Sequence, residues 1–406
     1  MKRTKWAWAC LAVLPLLAGC SGFWDPPTTS TTATTTTTLS SGYFFVLTET
    51  QIVPYSIVSG VLTQGTPVTV GSLPSAIAVA PNHSFLYVST ISGIYVYTIS
   101  SGALTLASTS PIVTDDPTAM AVDSTNSWLV EGFGVDGAGT GPGAFYINAV
   151  PILSTTGLVN ASAANCAPAG QTATVVCSAS FAAAANTAKL NQIAIAPKSD
   201  FVFAALGTTG TAAFNFSANV SASSPNPIGS VYTPEMPVAS DGGSLSVAVD
   251  PSSRLLYVGE SQAVSGAGGL RAFTFSAGTN GNGPTLSEQA SLPYASGGSA
   301  PNAILPKATG DVVYVANGKG LGSGNVTAFS IAKNGDVYSL TNLGHTVTIG
   351  VAPIAIIEDS LQHFVMVENN GGGPNLDVYY FDTTTSTTLD LTTYNSAFTG
   401  IAMAAD

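Results

Sequence analysis

From residue 43 onward the chain consists of short runs in which apolar and polar positions alternate, and the runs recur in a fixed order. Each unit opens on proline or a small residue followed by an alternating stretch. Examples are Pro74-Ser75-Ala76-Ile77-Ala78-Val79-Ala80-Pro81 and Pro117-Thr118-Ala119-Met120-Ala121-Val122-Asp123. The stretch returns at Asn191 to Pro197, Ser244 to Pro251, Pro301 to Pro306 and Pro353 to Glu358. A polar turn follows, then a second run such as Phe85-Leu86-Tyr87-Val88, Leu255-Leu256-Tyr257-Val258 or Phe364-Val365-Met366-Val367. A third run carries an aromatic near its centre (Tyr97, Tyr146, Phe214, Phe273, Phe329 and Tyr379), and a looser fourth completes the unit. Period-two alternation in β-branched and aromatic residues is what a pleated, half-buried strand requires.

Six complete units start roughly 40 to 60 residues apart, the spacing of four-stranded propeller blades, with one longer interval between Pro117 and Asn191. The two ends hold complementary fragments. Thr399 to Ala404 reads as a first strand, while Tyr43 to Val46 and Ile52 to Tyr55 read as a second and a third. Joining them makes a seventh blade and removes two exposed sheet edges. The predicted fold is therefore all-β: a seven-bladed β-propeller of four-stranded antiparallel blades over residues 41–406, with the first strand of each blade innermost.

The remainder of the chain predicts an address. Lys2, Arg3 and Lys5 precede a short apolar run from Trp6 to Leu17, and Leu17-Ala18-Gly19-Cys20 reads as a lipobox. Residues 1–20 are thus expected to be a lipoprotein signal peptide, with Cys20 acylated; about a dozen apolar residues are too few to span a bilayer. Ser21 fits sorting to the outer membrane of a bacterial envelope. Residues 21–40, dominated by Thr, Ser and Pro, read as an extended tether. Cleavage would leave 7 basic against 22 acidic residues, a net charge of −15. That excludes nucleic acid as a natural partner and leaves the lipid as the means of membrane attachment. The remaining cysteines, Cys166 and Cys177, are spaced to pin a small hairpin by a disulfide in an oxidising compartment, a reading favoured over a two-sulfur metal site.

The P-x-x-I/V-A-V-x-P … L-Y-V … V-Y-x-I pattern, clearest from Pro74 to Ile99, resembles the lactonase-like propellers. That group includes bacterial 6-phosphogluconolactonase and the YVTN repeat proteins, and the resemblance covers essentially residues 41–406. It implies lactone hydrolysis by His, Arg and Glu side chains at one mouth of the channel. Here, however, His83 and His363 fall in the turn between first and second strands, on the opposite rim, and His345 falls in an outer strand. Lys198, Arg254 and Lys307 share that turn and, like the histidines, read as solvated surface residues. Only Arg271 and Lys319 are left near the working rim, which argues against a phosphorylated substrate.

Glu131, Glu260 and Glu368 end equivalent second strands to within a residue, so a ring could project them toward one mouth together with Asn317 and Asn369. Such oxygens could hold Ca²⁺ or Mg²⁺. Alternatively, Glu260 could serve as general base with Arg271 polarising a lactone oxygen. The Gly-rich run Gly318 to Gly324 lacks phosphate-loop spacing and reads as a long flexible loop. The functional expectation is a monomeric binding scaffold, with no required cofactor, for a protein, glycan or small molecule. The alternative is a hydrolase acting on an unphosphorylated lactone.

Overall fold

The protein is described by a computed structural model covering residues 42–58, 61–107, 111, 116–138, 141–159, 178–183, 188–220, 226–232, 242–278, 283–290, 293–319, 322–371, 374–381, 389–392 and 398–405. The signal peptide, the tether, Cys20, Cys166 and Cys177 lie outside these residues. Seven antiparallel sheets form a closed circuit, each a four-strand meander with two short extra strands added at the edges. In chain order, blades I to VI have inner strands at Pro74–Val79, Ala119–Val122, Gln192–Ile195, Ser244–Val249, Ala300–Pro306 and Pro353–Glu358. Blade VII joins the inner strand Gly400–Ala405 to Gly42–Thr48, Gln51–Val58 and Val61–Gln64. Its closing register pairs Phe44 with Ala405, Val46 with Met403 and Leu47 with Ala402. The ring closure expected from the two chain ends is therefore formed.

Hydrophobic burial follows the seams between blades. There are seven core clusters, each made by the facing sides of two neighbouring blades. Period-two alternation explains this: successive side chains of a second strand point to opposite sheet faces, so one set packs against the preceding blade and the other against the next. The third-strand aromatics Tyr97, Phe214, Phe273, Phe329 and Tyr379 are buried in these clusters.

The turn from inner to second strand has a repeated cap. Asp123 Oδ1 accepts from the amides of Ser127 (2.8 Å) and Trp128 (2.7 Å), and its Oδ2 from that of Thr125 (2.9 Å). Asp250 accepts likewise from Leu255 N (2.9 Å), and Asp359 from His363 N (2.7 Å) and Phe364 N (2.5 Å). One residue in each turn takes a left-handed conformation, His83 (φ 57°) and Gln362 (φ 59°) among them. His83 and His363 are thus exposed residues of the expected turns, and His345 lies in the outer strand Val337–Thr348.

Two expectations need correction. Lys307 is buried, with its ammonium 4.5 Å above the Phe381 ring, because its turn packs against blade VI and Ala308 N donates to Glu358 Oε2 (2.8 Å). Arg254 is partly exposed but bound, through Asp250 at 2.6 Å and the Gly310 carbonyl at 2.9 Å. The Gly318 to Gly324 run is not a long loop either: strands Val312–Lys319 and Gly322–Asn334 run through it, with Lys319 paired to Gly322.

Asp123→Ala should lower unfolding free energy by about 2 kcal/mol, the cost of leaving buried amides without an acceptor. Urea denaturation followed by tryptophan fluorescence measures it.

Candidate functional site

Inner strands begin on the same face on which second strands end, and there the channel opens into a cavity of about 290 Å³. Six of the seven inner strands line it, those of blades I, II, III, V, VI and VII. Ser75, Thr118, Asn191, Gln192 and Asn302 contribute its polar groups, while Ile77, Met120, Ile193, Ile304, Ile356 and Met403 contribute hydrocarbon. None of the lining residues is ionisable.

The polar residues are placed by a repeated irregularity. In blades I, IV, V, VI and VII the pairing of inner and second strands slips by one residue, leaving Ser75, Leu245, Asn302, Ile354 and Ile401 as the extra residue of a β-bulge. Four side chains at this position reach across to the next blade. Ser75 Oγ donates to Pro117 O (2.9 Å) and Thr118 Oγ1 to Leu190 O (3.1 Å). Asn191 Nδ2 donates to Ser244 O and Asn302 Nδ2 to Pro353 O, both at 2.9 Å. Leu245 cannot donate, and the neighbouring Ser246 Oγ does so instead, to Pro301 O at 2.7 Å. Ile354 cannot either, and there Glu368 Oε1 accepts from Gly400 N at 2.7 Å. Six seams are thus latched at the mouth of the channel. The sequence signal for these latches is a polar residue just before the alternating stretch in four of the six repeats, Ser75, Thr118, Asn191 and Asn302.

The residues singled out from sequence lie in separate sheets, each tied to partners of its own. Glu131 and its cross-strand neighbour Asn148 bond at 3.2 Å in blade II. Arg271 Nε donates to Glu260 Oε2 (2.8 Å) and its Nη1 to Glu288 Oε1 (2.5 Å), all within blade IV. In blade V, Asn317 Nδ2 donates to Asn325 Oδ1 (3.0 Å) and to the Ser296 carbonyl (2.8 Å). In blade VI, Asn369 Nδ2 donates to Asp377 Oδ2 (2.9 Å). All six candidates are buried, and none lines the central cavity. Register explains part of the dispersal: by their partners Met120, Ala355 and Ser244, Glu131, Glu368 and Glu260 stand at three successive positions of the second strand, which sets Glu368 on the opposite face from the other two. A one-residue step sends a side chain to the opposite face of its sheet. Among the described residues no three His, Cys, Asp or Glu side chains gather as a metal site would need.

Burial governs the electrostatics. Desolvation pushes Glu368 up to about 8, with Asp377 adding to the rise and the Gly400 amide opposing it. Glu260 is raised by the same desolvation, against the pull of Arg271. Desolvation alone would lower Arg271, but its bonds to Glu260 and Glu288 carry it above its ordinary value.

No family model and no curated protein matches this chain in sequence. Solved structures do match it in shape. A protein named "putative 6-phosphogluconolactonase" from Bacteroides uniformis superposes with a TM-score of 0.64 at 14% identity, over 90% of this chain and 100% of its own. A protein of the same name from Bacteroides fragilis gives 0.62 at 16% identity, over 94% and 100%. A periplasmic gluconolactonase of Pseudomonas aeruginosa gives 0.62 at 15% identity, over 90% and 99%. At these identities the likeness shows the fold alone, that of a seven-bladed propeller.

Glu368 has an ordinary value of 4.5 and a folded value of about 8. The stability that comes with its neutral form is complete below 4.5 and is lost as pH rises through 8, at ~1.4 kcal/mol per pH unit. Thermal melts from pH 5 to 8 should show Glu368→Gln falling less steeply than wild type. Glu260 and Asp377, raised for the same reason, leave the variant a residual slope. Separately, Arg271→Met strands Glu260 and Glu288 as unpaired carboxylates and should cost about 3–5 kcal/mol by urea unfolding.

Proposed function

We propose that this chain is an exported, lipid-anchored binding propeller that takes a small uncharged ligand at the mouth of its central channel. The observation that carries this reading is the cavity lining, with amides and hydroxyls at the rim, hydrocarbon below and no ionisable side chain. A cavity without charge disfavours an ionic ligand, because a buried charge without a partner is costly. Amide and hydroxyl groups over an apolar wall suit a neutral molecule that presents both polar and hydrocarbon surface.

Lactone opening needs a base beside the attacking water and a donor at the developing oxyanion. Glu260 and Arg271, the candidates for those roles, are bonded to each other inside blade IV, which favours binding over catalysis. The binding reading requires no cofactor. Anchoring rests on the Leu17-Ala18-Gly19-Cys20 signal and the Thr-rich stretch that follows it.

Two measurements test the proposal. Glucono-1,5-lactone should open at the background rate with the protein present, and turnover abolished by Glu260→Gln would replace the binding reading with a hydrolase. In cells, radiolabelled palmitate should be incorporated by wild type and lost in Cys20→Ala, with the variant released from the membrane fraction. Equal membrane retention of the two would overturn the anchor.

A further inference from the structure

In blades I to VI the inner strand runs directly into the second strand through a short turn. In blade VII the inner strand Gly400–Ala405 and the second strand Gly42–Thr48 are joined by hydrogen bonds alone. Its ladder of five paired positions is as long as those of blades I and VI, so the missing turn is what sets it apart. Met403 is its one buried side chain in a core cluster, while Ile401, Ala402 and Ala404 are only partly buried against the seam with blade I. Its remaining specific contact is the carboxyl of Glu368, whose Oε1 accepts from Gly400 N at 2.7 Å. The approach is close enough that a Cβ on residue 400 would lie 2.5 Å from that oxygen, so a larger residue there would push the Glu368 carboxyl aside.

The catch is costly in itself. Glu368 is fully buried, and its Oε2 has no hydrogen-bond partner. Every other latched seam uses a hydroxyl or amide donor, which carries no such desolvation cost. Withdrawal of the strand hydrates the carboxyl and recovers that cost, which offsets part of the lost pairing. Elsewhere in the ring an inner strand that detaches stays tied to its own second strand through their turn. Here it is free of its partner once the pairing breaks.

We propose that Gly400–Ala405 is a strap that opens locally, ahead of the rest of the ring, with the Glu368 carboxyl on the Gly400 amide as its catch. Ile401, Ala402 and Met403 of this strand line the central cavity, so the open strap gives access to it from the side, between blades VI and I. What passes through depends on the binding reading above; the opening itself does not.

Amide hydrogen exchange on the full-length protein tests it. In wild type, residues 400–405 should show protection at least about tenfold below that of the inner strand at residues 300–306. Glu368→Ala, which removes the acceptor, should speed exchange at 400–405 about tenfold more while leaving 300–306 unchanged. A disulfide between Val46→Cys and Met403→Cys, cross-strand partners in the closed ring, should bring 400–405 to the level of 300–306. Equal protection of the two strands in wild type, with both opening only on global unfolding, overturns the proposal whether or not the variants fold. So does a cross-link that slows both strands alike.

Discussion

A ring of sheets has no free edge only if its last strand finds its first, and in this molecule that requirement is met by a strand pairing between the two ends of the domain. Pairing of Gly400–Ala405 with Gly42–Thr48 completes blade VII, and blade VII supplies one wall of the VI/VII core cluster and one of the VII/I cluster. Because burial is divided among seams rather than gathered at a centre, loss of one blade would expose apolar surface on both of its neighbours. The closure is therefore a condition for the whole core, although it is made by a few backbone hydrogen bonds.

The mouth of the channel shows how the seams and the cavity share the same atoms. In blades I and V the bulge at the start of the inner strand frees Ser75 and Asn302 from ladder pairing, and each freed side chain bonds to a carbonyl of the next blade. Polarity at the mouth is first a consequence of this latching. It is secondarily available to a ligand, because an amide such as that of Asn302 has further hydrogen-bonding capacity beyond the one bond it makes. Glu131, Glu260 and Asp377, by contrast, are withdrawn into the sheets, where they join second to third strands, and Asp123, Asp250 and Asp359 cap turns.

Much of the architecture was legible in the sequence because period-two alternation and a repeated turn leave local marks. The complementary fragments at the ends predicted the ring closure with the observed strands. The chemistry was less legible. Glu131, Glu260 and Glu368 are near-equivalent when counted along the chain, yet a pleated strand resolves positions one residue at a time, and their offsets put Glu368 on the face opposite to the other two and all three in different blades. Lys307 misled for a related reason: a turn is usually solvated, but this one packs under Phe381 of the next blade, a contact between residues far apart in sequence. The latches at Ser75, Thr118, Asn191 and Asn302 were written in the repeat, but their partners are carbonyls, which carry no sequence signature.

One consequence of these latches is mechanical. Successive bonds from Ser75 to Pro117, Thr118 to Leu190 and Asn191 to Ser244 run around the channel like the segments of a hoop, each setting the distance between two blades. A molecule that takes hold of the Asn302 amide competes with a segment of that hoop and changes its tension. Occupancy of the channel would then be felt around the whole circumference, carried by the spacing of the blades and not by the displacement of any single loop.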